Sequence, residues 1–213
     1  MYEEDARMEP HYFYQTIEKQ VVAEFSDRGR KFIGMAFPIT SVNDFKIALN
    51  EVKKLHPKAS HYCFAYRLGM DGLTYRVADA GEPSGTAGRP ILGQIDGKGL
   101  TNVLLVVVRY FGGTLLGVPG LINAYKSAAS MALQLTPIVK KPILSEFELQ
   151  FDYTISNDVM RLVKKYGCFL LTQDLQLFCR YEVGVPRQIE KDCIAAFEEL
   201  RGLSIKKKSD SAS

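Results

Sequence analysis

Two glycine-rich segments carry the residue types whose spacing suits anion chemistry. The first runs Asp79-Ala-Gly-Glu-Pro-Ser-Gly-Thr-Ala-Gly-Arg-Pro90, the second Arg109-Tyr-Phe-Gly-Gly-Thr-Leu-Leu-Gly-Val-Pro-Gly120. Glycine permits positive φ and lets another group approach the backbone closely. Each segment precedes a helical pattern, and a helix N-terminus offers unsatisfied N–H groups and partial positive charge. Arg109 follows the most apolar strand pattern of the chain, Asn102 to Val108. That is the end at which ligands gather in open α/β sheets, and a guanidinium grips phosphate bidentately. Arg89 and Lys126 add cations on the two helices. Arg109, Arg89 and Lys126, with the backbone of Ser84, Gly85, Thr86, Gly112 and Gly113, predict an anion-binding groove. Tight turns and an Arg109 ion pair with Asp79 or Glu82 are the plainer reading of the same residues.

The segments do not form a known nucleotide loop. Gly93 to Lys98 has the wrong spacing for a Walker A motif and lacks its hydroxyl after the lysine, and no G-x-G-x-x-G is present. Ser84 and Thr86 are placed as N-caps rather than nucleophiles. His61, at a strand start, is the histidine nearest the segments; His11 and His56 lie elsewhere. Asp79 and Glu82, three apart, suit salt bridging or capping, or a single Mg²⁺ shared with phosphate oxygens. Mg²⁺ is the one cofactor entertained; no catalytic set and no metal ligand set is identified. Tyr110 and Phe111 suit packing, or stacking on bases. The cysteines at 63, 168, 179 and 193 lack metal-ligand spacing and read as free thiols.

The elements that must position these groups follow from periodicity. Ile17 to Phe25 and Lys31 to Phe37 predict a hairpin around Asp27-Arg-Gly29. Ser41 caps a helix ending before Pro57. His61 to Arg67 and Leu73 to Val77 predict strands around Gly69-Met-Asp-Gly72. Leu121 to Leu135 predicts a helix whose Ala124, Ala128, Ala129 and Ala132 suit close packing on a sheet. Thr136 to Pro142 reads as a linker, dividing the chain into 1–139 and 140–213. The second part predicts β-α-β-β-α-β, the split βαβ order. Its sheet has Phe178 and Tyr181 as aromatic candidates for RNA, with core packing favoured. A loose tail is expected over 206–213.

The 213 residues are 46% hydrophobic and 24% charged, an ordinary globular balance. Up to Lys141 there are 17 Lys and Arg against 13 Asp and Glu; beyond it, 10 against 11. The first part is mildly basic, compatible with an anionic partner but short of a nucleic-acid footprint. The charged start predicts no signal peptide, and no apolar run is long enough for a membrane span. A cytoplasmic protein is expected.

Glu82-Pro-Ser-Gly-Thr-Ala-Gly88, Val106-Val-Val-Arg-Tyr-Phe-Gly-Gly113, Leu116-Gly117 and Gly120-Leu121 closely resemble the signature of the IMPACT/YigZ (UPF0029) family. Arg30-Lys-Phe-Ile-Gly34 and His61-Tyr-Cys-Phe-Ala-Tyr-Arg67 support it, bringing Arg67 into the candidate set. The resemblance implies an α+β protein. Its N-terminal domain is similar to the ribosomal-protein/RNase PH-like group, and its C-terminal ferredoxin-like domain to the last domain of elongation factor G. Eukaryotic relatives restrain a translation-initiation stress kinase through a further N-terminal domain, so only a general translation link carries over. For bacterial members it implies contact with RNA or the ribosome. This chain departs from the family at Ala80, Pro119 and Asn123, the last removing a cation many members have.

The expectation is thus a non-catalytic, translation-associated protein binding RNA, ribosome or a regulatory partner through the groove. An enzyme acting on a phosphate-bearing metabolite or RNA end would instead need Asp79, Glu82, Arg109 and His61 to converge in a closed pocket. A purely protein-binding regulator is the third reading.

Overall fold

The computed structural model describes residues 12–27, 29–110, 116–176 and 178–208. Two compact units divide it, one covering Tyr14–Lys141 and the other formed by the described residues from Pro142 onward together with Tyr12 and Phe13. Both mix α and β. Among the described residues no helix is long and apolar enough to cross a membrane.

The larger unit begins with β1 (Phe13–Ile17), β2 (Val21–Asp27) and β3 (Arg30–Pro38). The single strand expected from Ile17 to Phe25 is two, because the polar, exposed Glu18-Lys-Gln20 stretch breaks it. Helix α1 (Val42–Leu55) follows, started by a reciprocal box in which Ser41 accepts from the Asp44 N–H and Asp44 accepts from the Ser41 N–H. Then come β4 (His61–Leu68), β5 (Thr74–Ala78), α2 (Gly88–Asp96), β6 (Val103–Arg109), α3 (Gly117–Gln134) and β7 (Ile138–Pro142). The stretch read as a linker therefore contains a strand. β7 pairs with β1, some 120 residues earlier, and no local pattern announces that pairing.

The central sheet has the order β2-β3-β6-β4-β5, with every neighbouring pair antiparallel. β6 lies in the middle and is buried on both faces, which explains its unbroken apolar run. Val103, Leu105 and Val107 face α2 and α3. Leu104, Val106 and Val108 face α1 with Phe45, Ala48 and Val52. Helix α3 lies very close to β3. A Cβ added at Gly34 would stand 2.3 Å from the Ala128 carbonyl oxygen. Ala124, Ala128, Ala129 and Ala132 make that approach sterically accessible, and each is 0–1% exposed.

The smaller unit contains β8 (Leu144–Phe151), α4 (Ser156–Lys165), β9 (Phe169–Leu175), β10 (Cys179–Pro186), α5 (Glu190–Glu198) and β11 (Leu203–Lys207). Its antiparallel sheet runs β11-β8-β10-β9. One face packs under the helices through residues such as Phe147, Leu149, Val159, Val183 and Phe197. Tyr181 belongs to this face, 4% exposed and edge-on to Phe151 at 4.9 Å between centroids, so it offers no stacking platform. Phe178 is exposed, just before β10. The opposite face alternates Glu146, Glu148 and Glu182 with Arg180, Lys206 and Lys208. Lys206 and Lys207 lie in β11 rather than a loose tail. Lys207 Nζ is 2.6 Å from Glu190 and Lys208 Nζ is 2.8 Å from Glu182, so these carboxylates hold the end of β11. Residues 209–213 lie outside the described residues.

Candidate functional site

The sheet register assembles a cluster at the end of β6. Arg109 stands opposite His61 on β4 and opposite Phe32 on β3. Cross-strand partners share a face, so all three look toward α3 and the first glycine segment. The Arg109 Nη1 donates to Glu82 Oε1, and Tyr125 from α3 donates its hydroxyl to the same oxygen at 2.7 Å. The Glu82 and Arg109 side chains are 4% and 6% exposed. The Phe32 ring lies edge-on to Tyr125 at 5.4 Å and its centroid is 6.0 Å from the guanidinium carbon. His61 donates from Nδ1 to the Ala80 carbonyl at 3.0 Å, which points Nε2 at Glu82, 3.8 Å away.

Two expectations are decided here. Arg109 is the last residue of a strand flanked by antiparallel partners, so the crevice at the carboxyl end of a parallel sheet has no counterpart. Its guanidinium is also neutralised by Glu82, so of the two readings of Arg109 the plainer one, an ion pair with the first segment, is the one observed. A buried pair of this kind holds the first segment to the sheet rather than reaching for a ligand.

The N-terminus of α2 is likewise satisfied from within. Asp79 Oδ1 accepts from the N–H groups of Ala87 at 3.0 Å and Gly88 at 2.8 Å, and Oδ2 accepts from Gly85 at 2.9 Å. The cap comes from a carboxylate nine residues upstream of the first helical residue, in place of the Ser84 or Thr86 hydroxyl. Thr86 instead donates to the Pro83 carbonyl at 2.7 Å and is buried, while Ser84 is exposed. Burial raises the Asp79 carboxyl. The three N–H donors and the nearby Arg89 charge lower it, and the balance leaves it below its ordinary value. Gly85 takes φ +78°, the turn that aims these donors inward. Gly88 has no room for a side chain, since a Cβ would stand 2.9 Å from the Ala78 nitrogen.

Asp79 and Glu82 therefore point apart. Asp79 turns to the α2 backbone and Glu82 to Arg109 and Tyr125, an arrangement that does not suit a shared Mg²⁺, which wants open carboxylate oxygens. Among the described residues no group of three or more His, Cys, Asp or Glu is placed to hold a metal. Glu82, Arg109 and His61 converge and Asp79 does not. Cys63 lies beneath them, its thiol donating to the Asp79 carbonyl at 2.9 Å. Burial pushes that thiol up to about 12 and, with Cys63 and Glu82 adjacent, pushes the Tyr125 phenol above its ordinary range.

The remaining candidates lie apart. Arg67 is near the far end of β4, about 20 Å from His61 at strand spacing. It donates from Nε to Asp96 at 2.6 Å and lies over the Tyr75 ring. Tyr110 is half-buried and engages His56 Nδ1 at 2.8 Å. Phe111, Gly112 and Gly113 lie outside the described residues. Arg89 and Lys126 are exposed, on α2 and α3.

Lys126 lines an open groove of about 480 Å³ with Gln94, Asn123, Ser127, Ser130 and Gln134. Phe25 and Met131 complete it. Among the described residues this lining holds one cation, five uncharged polar side chains and no carboxylate, and α3 contains no Asp or Glu. Sequence reasoning missed Tyr125 and Cys63. Tyr125 had one visible signal, a single phenol on the alanine face of α3.

A family model described as the Impact N-terminal domain matches residues 28–133. The chain is 35% identical to the IMPACT family member YigZ of Escherichia coli K12 over 158 residues, 73% of this chain and 78% of that one. It is 34% identical to an IMPACT family member of Haemophilus influenzae over 177 residues, 82% of this chain and 86% of the relative. A crystal structure of a hypothetical protein superposes with a TM-score of 0.74 at 29% identity, covering 94% of this chain and all of that one.

Proposed function

The chain belongs to the IMPACT family, and from that premise we propose that it is a translation-associated regulator acting by binding RNA or the ribosome along the groove between α2 and α3. The observation that carries this reading is the composition of the groove. Among the described residues of the lining, Lys126 stands with amide and hydroxyl side chains and no carboxylate to repel a phosphate chain. Arg89, exposed at the start of α2 near Asp79, stands outside that lining and adds a second exposed cation on the same helical layer. Asn123 lines the groove where many members have Arg or Lys, which tunes affinity downward.

The buried cluster supports binding rather than turnover. Glu82 and Arg109 are engaged with each other, and Asp79 with the α2 backbone. These bonds make the Gly-rich segment a fixed frame from which α2 leaves at a set angle. The family's fold assignments, an RNase PH-like N-terminal domain and a ferredoxin-like C-terminal domain, belong to this proposal. The smaller unit's β-α-β-β-α-β order accords with the second.

Filter binding and ribosome sedimentation across a salt series test the reading. Affinity is expected to fall linearly with log salt. Arg89→Ala with Lys126→Ala should flatten that slope while leaving circular dichroism unchanged. No association at low salt overturns it.

A second reading has its own support. All seven residues of β9 are exposed at the sheet edge, including Phe169, Leu170, Leu171 and Leu175. An apolar edge strand of this kind is a template for another chain, which favours a protein-binding regulator. Nuclease-insensitive capture of one partner, lost with a charged substitution at Leu171, is its signature.

A further inference from the structure

The smaller unit brings together two thiols that nothing in the binding account uses. Cys168 Sγ and Cys193 Sγ are 3.4 Å apart, although 25 residues separate them. All four cysteines of the chain are free. Cys63 and Cys179 are buried elsewhere, Cys63 in the other unit. Two features fix the pair. Gly167, at φ +58°, ends α4 and turns the chain, and the Cys168 N–H donates to the Val163 carbonyl at 2.9 Å. Cys193 is on α5, fully buried in the core against which half-buried Cys168 packs.

We propose that Cys168 and Cys193 form a redox-active dithiol site, which takes a low-molecular-weight disulfide as its substrate and closes into an intramolecular disulfide. A disulfide needs the sulfurs about 2.05 Å apart, so a shift of a little over 1 Å from the observed contact completes the bond. The two positions have complementary roles. Cys168 is accessible enough to meet a small reagent. Cys193 is buried, shielded from it, and in contact with Cys168. The contact with Cys193 holds the Cys168 thiol below its ordinary value against the opposing effect of burial, while the contact and burial together raise Cys193. That division between an exposed nucleophile and a shielded resolving thiol is the pattern of reactive dithiols.

The chemistry balances. The Cys168 thiolate attacks one sulfur of R–S–S–R, forming a mixed disulfide and releasing RS⁻. Cys193 loses its proton and attacks the Cys168 sulfur, expelling the second RS⁻. The two protein thiols lose two electrons and two protons, and the reagent is reduced to two RSH. The product ties the start of β9 to α5, and β9 is the exposed sheet edge.

Equilibration of the folded full chain with glutathione buffers of graded oxidised fraction tests the site. Acid quench, alkylation and peptide mapping then count the thiols. Two of the four are expected to be lost together, mapping to a 168–193 crosslink. Cys193→Ser should stop at a glutathione adduct on Cys168, and Cys168→Ser should leave the remaining thiols alkylatable. Four alkylated thiols in the most oxidised buffer, a persistent adduct on the wild-type chain, or a crosslink between other cysteines would each overturn the proposal. The wild-type map alone decides should a variant fail to fold.

Discussion

Glu82 and Arg109, 27 residues apart, form a buried ion pair joining the first glycine segment to the last residue of the central strand. Each is fixed by an element the other does not belong to. Arg109 is held by register against Phe32 and His61, and Glu82 by the hydroxyl of Tyr125. The pair behaves as one structural unit.

Breaking one half leaves an uncompensated buried charge. Glu82→Gln or Arg109→Met alone is expected to destabilise the N-terminal unit by about 3–5 kcal/mol. The double variant should recover much of that loss. Urea unfolding of all four proteins measures the coupling, and additive losses would place the two side chains in separate environments.

Asp79 makes a second, pH-dependent contribution. Its folded-state carboxyl lies below the ordinary value of 3.8. Stabilisation is therefore fully present above the unfolded value and lost as pH falls through the folded one. Asp79→Ala should cost about 1–2 kcal/mol at neutral pH as a lost cap. The difference from wild type should shrink below about pH 4. A difference independent of pH would mean that the carboxylate charge plays no part in the cap.

Mg²⁺ should leave the unfolding midpoint unchanged, because both carboxylates are turned to protein donors. A saturable upward shift with millimolar Mg²⁺, absent in Asp79→Asn, would show that the segment opens its oxygens to a cation.

Gly34 tests the packing beneath the site. Gly34→Ala drives a Cβ into the Ala128 carbonyl, and backbone cannot step aside as a side chain can. A loss of about 1–3 kcal/mol or more is expected from overpacking. Gly93→Ala, with open space around its Cβ, serves as the control.

Much of this was legible where the determinants are local. The Ser41 cap, the alanine face of α3 and the apolar run of β6 are short-range patterns, and each has its observed counterpart. The family signature was equally visible in contiguous residues. What sequence reading missed depends on distant partners. β7 looks like a linker because β1 lies far away in the chain, and Lys206 to Lys208 look loose because Glu182 and Glu190 come from other elements. The plainer reading of Arg109, an ion pair with Asp79 or Glu82, is the one observed, with Glu82 as the partner; periodicity says where the strand ends but does not choose between the two carboxylates. Cys168 and Cys193 looked unrelated because 25 residues separate them. Lys126 and Asn123 share α3 and are read together; what the sequence does not show is that Gln94 of α2 and Phe25 of β2 close a groove beside them.

The most direct test of the account is the salt dependence of RNA or ribosome association in three proteins: wild type, Arg89→Ala with Lys126→Ala, and Asn123→Arg. Each phosphate contact contributes about 0.7 to 0.9 to the slope of log affinity against log salt. The account predicts a flatter slope in the double variant and a steeper one, with tighter binding, in Asn123→Arg. Three identical slopes, or no association at the lowest salt, would contradict the groove as the binding surface.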